Sequence, residues 1–524
     1  MGVYLNPSNN GFKRAVQSKI YVDKTELIVH TNEVINTMQG YVCVSRPRRF
    51  GKSTTASMLT AYYCKSYDSS NLFAPFAIAK QEETFKAHLN QYNVIALNIQ
   101  KFSGMVSSMK ALINCIQNEV LEEIRECYSD MILENENILH RALSRLYSKK
   151  DEQFIFVIDE WDCVLRDKDF TQEERRLYLK FLETLLKDQD YVALVYMTGI
   201  LPVKKYGKQS ALNMFMEYSM IEPSEYAEYV GFTEKEVKSL CEQYEKDFNL
   251  MKEWYDGYNF GKSIHIYNPK SVVDSIIRKQ YSNYWTQTEN YDSLRTYISM
   301  NFDGLKDAIL TMLAGEPVKI NTRSFQNDMF LLERKDDVLT LLIHFGYLAY
   351  NKDTQSVWIP NTEIQEEFKN AVECSNWKEV VVSLEQSEEL LQATWNLDGE
   401  EVAKRLNVLH SENTSILTYN DENSLSCVIS LAYYNAVKEY TRIREFPSGK
   451  GFADVVYIPR KTSDKPAMII ELKYDKSAEG AIEQIKNRQY VEALKEYNGN
   501  LLLVGINYDK KSKTHQCVIE KFFK

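Results

Sequence analysis

Apolar runs rich in β-branched and aromatic residues recur through the first part of the chain: YVCVS (41–45), NVIALNI (93–99), FIFVIDEWD (154–162) and YVALVYMTG (191–199). Polar stretches with helical spacing separate them. Strand candidates that alternate with helices predict a parallel sheet with crossover helices, and such sheets bind ligands at the carboxyl ends of their strands. Farther along, TEKEVKSLCEQY (233–244) and SVVDSIIRKQY (271–281) carry apolar residues at helical intervals. Roughly 220–400 therefore reads as all-helical, or as a winged-helix-like lid followed by a helical connector. Toward the C-terminus GFADVVYI (451–458) and AMIIELKY (467–474) read as consecutive strands joined by a polar turn. The pattern as a whole predicts an α/β multidomain chain.

Between the first strand candidate and a helix beginning at Lys52 lies RPRRFGKS, residues 46–53. In that context the segment is a phosphate-binding loop. Backbone N–H groups and the helix N-terminus cradle a polyphosphate, Lys52 reaches its outer phosphates, and the Ser53 hydroxyl binds Mg²⁺. Arg49, Phe50, Gly51, Lys52, Ser53 and Thr54 are the candidate nucleotide contacts. Where the usual pattern has its first glycine this chain has Arg46, followed by Pro47, so the loop must turn by other means. FIFVIDEWD supplies the second element, an apolar strand ending in acids: Asp159 would hold Mg²⁺ through water and Glu160 would polarise the attacking water. The competing reading is a buried strand that ends in a solvated acidic turn; the order of strand, loop and helix upstream favours the catalytic one. Thr198 ends the last strand and is either a polar sensor of the γ-phosphate or a strand-terminal hydroxyl.

Composition narrows the classes. No apolar run approaches the roughly twenty residues needed to span a bilayer, and the opening MGVYLNPSNNGFKR lacks the charged head and apolar stretch of a secretory signal, so a cytoplasmic location without membrane contact is expected. Nine cysteines without a CxxC pair argue against a disulfide framework or a structural zinc site. The net charge of −10 hides an asymmetry: from Arg442 onward 16 Lys and Arg face 11 Asp and Glu, whereas the preceding residues carry 47 against 62. A basic C-terminal end suits a polyanionic partner such as DNA or RNA.

That end holds a second constellation. Asp454 lies near the start of one strand, and Glu471 and Lys473 alternate along the next, so their side chains share a face. Two carboxylates and an ammonium at one sheet edge can hold Mg²⁺, with Mn²⁺ as an alternative, and can orient or deprotonate a nucleophilic water. The competing reading is an amphipathic hairpin with a charged solvent face, against which stand the otherwise apolar strands and a following helix bearing Gln484, Lys486, Arg488 and Tyr490.

Asp454 followed after a hairpin by Glu471-Leu472-Lys473 resembles the PD-(D/E)XK nuclease core. The whole chain resembles a bacterial family that fuses an AAA-ATPase-like domain to such a nuclease-type domain, through YVDKTELI (21–28), RPRRFGKS, VIDEWD, MTGILPVKK (197–205), WYDGYNFG (254–261), YNP (267–269), SGKGFADVV and IIELKY. The resemblance implies an AAA-ATPase-like P-loop domain over 1–230, a helical lid and connector over 231–400, and a restriction-endonuclease-like α/β domain over 401–524. It further implies that Glu422 is a third metal-side carboxylate, that Gln484 is the polar residue after the Lys strand, and that the glycine-free loop start is ordinary for the family. Ala453 stands where the motif's name expects Pro. The function implied is an ATP-binding and ATP-hydrolysing protein with Mg²⁺-dependent nuclease activity under nucleotide control. The alternative is a nucleotide-switched binding or signalling protein whose nuclease-like domain binds without cutting. Oligomerisation, the nucleic acid cut and the role of 280–410 stay open.

Overall fold

The apolar runs become the strands of a parallel sheet because each is buried on both faces. In the computed structural model, which describes residues 2–129, 136–203, 212–261, 263–285, 292–300, 302–325, 332–373, 378–412, 425, 429, 432–448, 451–460, 463–487, 494 and 500–522, β1 is Tyr41–Ser45, β2 Asn93–Asn98, β3 Phe154–Asp159, β4 Val192–Gly199 and β5 Met216–Tyr218. They lie in the order β2-β3-β4-β1-β5, all parallel. Helix α1, Lys52–Tyr63, follows β1 directly. Helix Met109–Cys127 buries Leu112, Ile116, Val120 and Ile124, one residue per turn, against the sheet core that also holds Phe156, Ile158 and Val195. A reciprocal cap between Thr171 and Glu174 starts helix Gln172–Leu186, which stabilises such a terminus by about 1 kcal/mol.

The middle region is largely helical but not wholly so. β6 (Phe232–Thr233), β7 (Tyr258–Phe260) and β8 (Ile264–Tyr267) form a small sheet in the order β6-β8-β7. Another small sheet has the order β10-β11-β9, from Val318–Lys319 (β9), Ala349–Asn351 (β10) and Ser356–Trp358 (β11). These strands are only two to four residues long, too short to show a period in the sequence.

The C-terminal region forms a mixed five-stranded sheet, β12 (Tyr440–Ser448), β13 (Gly451–Pro459), β14 (Ala467–Tyr474), β15 (Leu501–Asp509) and β16 (Thr514–Phe522), in sequential order. Only the β14–β15 pairing is parallel. One core of this sheet unites Val455, Ile470 and Val504 with Leu390, Val402 and Leu406. The other unites Val456, Ile469 and Leu503 with Ile482 and Ile485 of the helix Ala478–Asn487.

Contacts gather the chain into two compact units, Met1–Thr288 with Lys319–Ile364, and Glu289–Val318 with Gln365–Lys524. Among the described residues no helix is long and apolar enough to cross a membrane.

Candidate functional site

The loop leaving β1 closes tightly because two of its residues take the left-handed region, Arg49 at φ 65° and Gly51 at φ 95°. A side chain at Gly51 would be strained by that φ even though open space surrounds it. Lys52, 4% exposed, donates its ammonium to the Pro47 carbonyl at 2.9 Å and stands 3.9 Å from Glu160 Oε1. Burial pulls its pKa down, and the Glu160 charge opposes the fall.

Facing it, the parallel register sets Asp159 beside Asn98 on β2 and Thr198 on β4. Asp159 accepts from Asn98 Nδ2 at 3.1 Å and from the Glu160 N–H at 3.0 Å, and the Ser53 side chain also hydrogen-bonds to it. Burial raises the pKa of both Asp159 and Glu160. A hydroxyl and a buried carboxylate are hard oxygen donors of the kind Mg²⁺ takes. Glu160, at φ 52°, pairs with Arg166 at 2.9 Å. Arg166 in turn bonds Asp162 at 2.9 Å, and fully buried Asp162 accepts the backbone N–H groups of Ile200 and Leu201.

The Thr198 side chain is fully buried, and its hydroxyl donates to the Val44 carbonyl at 2.8 Å. Phe50 is 1% exposed, its ring edge-on to Tyr258 of the WYDGYNFG segment with 5.4 Å between centroids.

Phe50, Lys52, Ser53, Glu160 and Arg166 border a cavity of about 760 Å³. Its lining joins cationic and polar residues, among them Arg48, Arg49, Lys52, Ser53, Thr54, Glu160, Arg166, Lys24 and Lys270, to apolar and aromatic ones, Ile20, Tyr21, Val22, Tyr229, Phe232 and Val273. Gly231, at φ 118°, belongs to the lining, and a Cβ there would lie 2.4 Å from Ile266 Cγ2 and 3.2 Å from Phe50 Cδ1. A polyphosphate and a flat base match the two chemistries.

Arg46 explains the glycine-free loop. Fully buried, it donates to the carbonyls of Ser45 at 2.9 Å, Tyr218 at 3.0 Å and Tyr226 at 3.2 Å, with its guanidinium 5.1 Å from the Phe260 ring centroid. Burial lowers its pKa to about 10. The side chain thus ties the loop base to the strand beyond it. Replacing it with the glycine of the usual pattern is expected to destabilise the protein by about 3 kcal/mol, because a buried fork is lost and its acceptors are stranded. Urea unfolding of Arg46→Gly checks this; an unchanged midpoint would show that the fork contributes nothing.

In the C-terminal sheet Asp454 on β13 accepts the Leu472 N–H at 2.8 Å, which holds it against β14. Glu471 is 1% exposed; its Oε1 accepts from Lys473 at 3.0 Å and from Gln484, while its Oε2 is buried without a hydrogen-bond partner among the described residues. Burial, and then the Asp454 charge, push the Glu471 pKa up to about 7, with Lys473 pulling the other way. A buried orphan carboxylate oxygen beside a second carboxylate is what a divalent cation would satisfy. Glu422, Arg488 and Tyr490 lie outside the described residues.

Residues 11–208 match the family described as Predicted AAA-ATPase, and residues 420–517 match the PD-(D/E)XK nuclease superfamily. The chain carries both domains. No curated protein matches it. Among solved structures it is similar to the Walker-type ATPase PABY2304 of Pyrococcus abyssi, at 11% identity over 66% of this chain and 94% of that one with a TM-score of 0.35. It is also similar to the Aeropyrum pernix ORC2 protein in its ADPNP–ADP complexes, at 12% identity over 69% and 98% with a TM-score of 0.30.

Within the AAA-ATPase domain, three side chains escaped the sequence reading. Asn98 and Arg166 fall outside both sequence motifs, and only the end of β2 beside β3 and the single turn Cys163–Arg166 bring them to the site. Arg46 stood out only as the residue in place of the usual glycine, because nothing local shows the carbonyls it serves. Beyond that domain's matched residues, Glu234, Asp256 and His265 bring ligand-type atoms within 4.8 Å of one another. Lys252 lies 2.9 Å from Glu234 and 3.8 Å from Asp256, and Lys238 lies 2.8 Å from Glu234, so ammonium groups already supply the counter-charge.

Proposed function

We propose that the chain binds and hydrolyses ATP at the β1–α1 loop and cleaves nucleic acid phosphodiesters at Asp454, Glu471 and Lys473, the second activity being governed by the nucleotide at the first. One observation carries the nuclease half: the buried Oε2 of Glu471, without a partner among the described residues, beside Asp454 and Lys473. The ATP half is supported by the cavity, whose lining combines Lys52, Ser53 and Glu160 with the aromatic Tyr21, Phe50, Tyr229 and Phe232.

At the first site Lys52 reaches the β- and γ-phosphates, Ser53 and Asp159 hold the metal side, and Glu160 orients and polarises the attacking water. At the second, Asp454 and Glu471 form the metal-side pair, while Lys473 orients the nucleophilic water or stabilises charge on the phosphate. Mg²⁺, when bound, would neutralise phosphate charge at both places. Gln484, bonded to Glu471 Oε1, keeps that carboxylate turned so that Oε2 stays available. Nucleotide control is supported by connectivity, since the chain passes between the two units three times, at 288/289, 318/319 and 364/365.

Purified protein incubated with DNA or with RNA, in Mg²⁺ or Mn²⁺ and with or without ATP, tests the reading. Metal-dependent cleavage that changes with ATP is expected. Binding of nucleic acid without any cleavage would replace the nuclease by a nucleotide-switched binding protein. In the ATPase arm Glu160→Gln is expected to bind ATP normally and to hydrolyse it about a thousandfold more slowly, because binding is left to Lys52 and only water activation is lost. Wild-type turnover in that variant would remove Glu160 from the mechanism.

A further inference from the structure

The proposed ATPase site contains a cation that its two sequence motifs do not account for. Arg166 ends the single turn after β3 and lines the same cavity as Lys52 and Glu160. Its side chain is 12% exposed and is held from two sides, Nε on Asp162 and a terminal nitrogen on Glu160, both at 2.9 Å. Asp162 is itself immobilised by the N–H groups of Ile200 and Leu201, at 3.2 and 2.8 Å, where β4 ends. The guanidinium is therefore anchored by the sheet at one edge, and its other edge is engaged with the group proposed to activate water.

Two physical considerations make this more than an ion pair. Glu160 sits between Lys52 at 3.9 Å and Arg166 at 2.9 Å, so two cations of the cavity lining are already turned toward one carboxylate. An arriving triphosphate brings several negative charges into that space and competes with Glu160 for both. A guanidinium fork matches phosphate oxygens as well as it matches a carboxylate.

We propose that Arg166 is an arginine finger supplied in cis, which holds Glu160 until the terminal phosphate of ATP takes its place and then stabilises charge on that phosphate while Glu160 turns to the water. The inference rests on the ATPase reading above. In the step it serves, the water oxygen bonds to the γ-phosphorus as the bond from that phosphorus to the bridging oxygen breaks. The bridging oxygen leaves with ADP, and the water proton passes through Glu160 to the products. Arg166 exchanges no proton and contributes charge and position only.

Steady-state ATP hydrolysis by the full chain, by Arg166→Ala and by Arg166→Lys tests this, with fluorescent-nucleotide binding and thermal melting of each. Arg166→Ala is expected to lose about a thousandfold in kcat with KM changed no more than a few-fold, as for other arginine fingers, and Arg166→Lys to recover part of the loss. A finger within the chain further requires that wild-type activity per chain stay constant over about a hundredfold dilution, since no second chain enters the site. A folded Arg166→Ala with wild-type kcat overturns the inference. So does wild-type specific activity that falls with dilution, which would place the activating group on a neighbour. Should Arg166→Ala fail to fold, the lysine variant and the dilution series still decide. A wild-type protein that binds ATP but never hydrolyses it would instead overturn the ATPase reading, a result visible before any variant is made.

Discussion

Lys52→Ala is expected to lose ATP binding, with calorimetry showing at least a hundredfold weakening against wild type. Lys52 is the buried ammonium of the loop, 4% exposed; it lines the cavity and is held along the loop by its 2.9 Å bond to the Pro47 carbonyl. Charge-assisted bonds to phosphate in such a shielded place are worth more than surface ion pairs. Arg48 and Arg49 also border the cavity, at half-buried and exposed positions, and water screens their charge more strongly. Removing Lys52 also leaves Glu160 nearer to net negative charge, which repels the ligand. Unchanged affinity in this variant would mean that the cavity is not the nucleotide site.

Asp454→Ala and Lys473→Ala are each expected to abolish phosphodiester cleavage while ATP hydrolysis persists. The two residues fail for different reasons. Without Asp454 the cation loses one of two carboxylates and affinity for it falls; without Lys473 the cation still binds, but water or phosphate loses its ammonium. Metal titration therefore separates them, with weaker binding expected only for Asp454→Ala. Because Glu471 keeps its proton up to about pH 7, proton and cation compete for it, and apparent metal affinity should rise as pH climbs through that value. Undiminished cleavage in both variants would remove this cluster from catalysis.

Much of the architecture was legible because its determinants are local. β1 to β4 are apolar runs buried along nearly their whole length, and Asp454, Glu471 and Lys473 follow from two adjacent strands whose period is two. β5, a three-residue strand reading MEY, has no such period and takes its place only by pairing with β1. Arg46 and Arg166 were illegible for a related reason: a buried arginine makes sense only with its acceptors, which for Arg46 lie 172 and 180 residues away at Tyr218 and Tyr226. The Thr198 hydroxyl, too, has its partner on another strand, the Val44 carbonyl 154 residues away.

The threefold passage of the chain between units has a consequence for its birth on the ribosome. The N-terminal unit cannot be completed until residue 364 has emerged, yet by then Glu289–Val318 has already been made and belongs to a unit whose sheet, β12 to β16, is still unsynthesised. At roughly 5–20 residues per second that interval lasts on the order of ten seconds. Throughout it Leu305, Ile309, Leu310 and Leu313, buried in the finished protein, belong to a unit most of whose chain is not yet made. Helix Leu305–Leu313 is thus a waiting element until Arg442 arrives to bond the Ala314 carbonyl at its end.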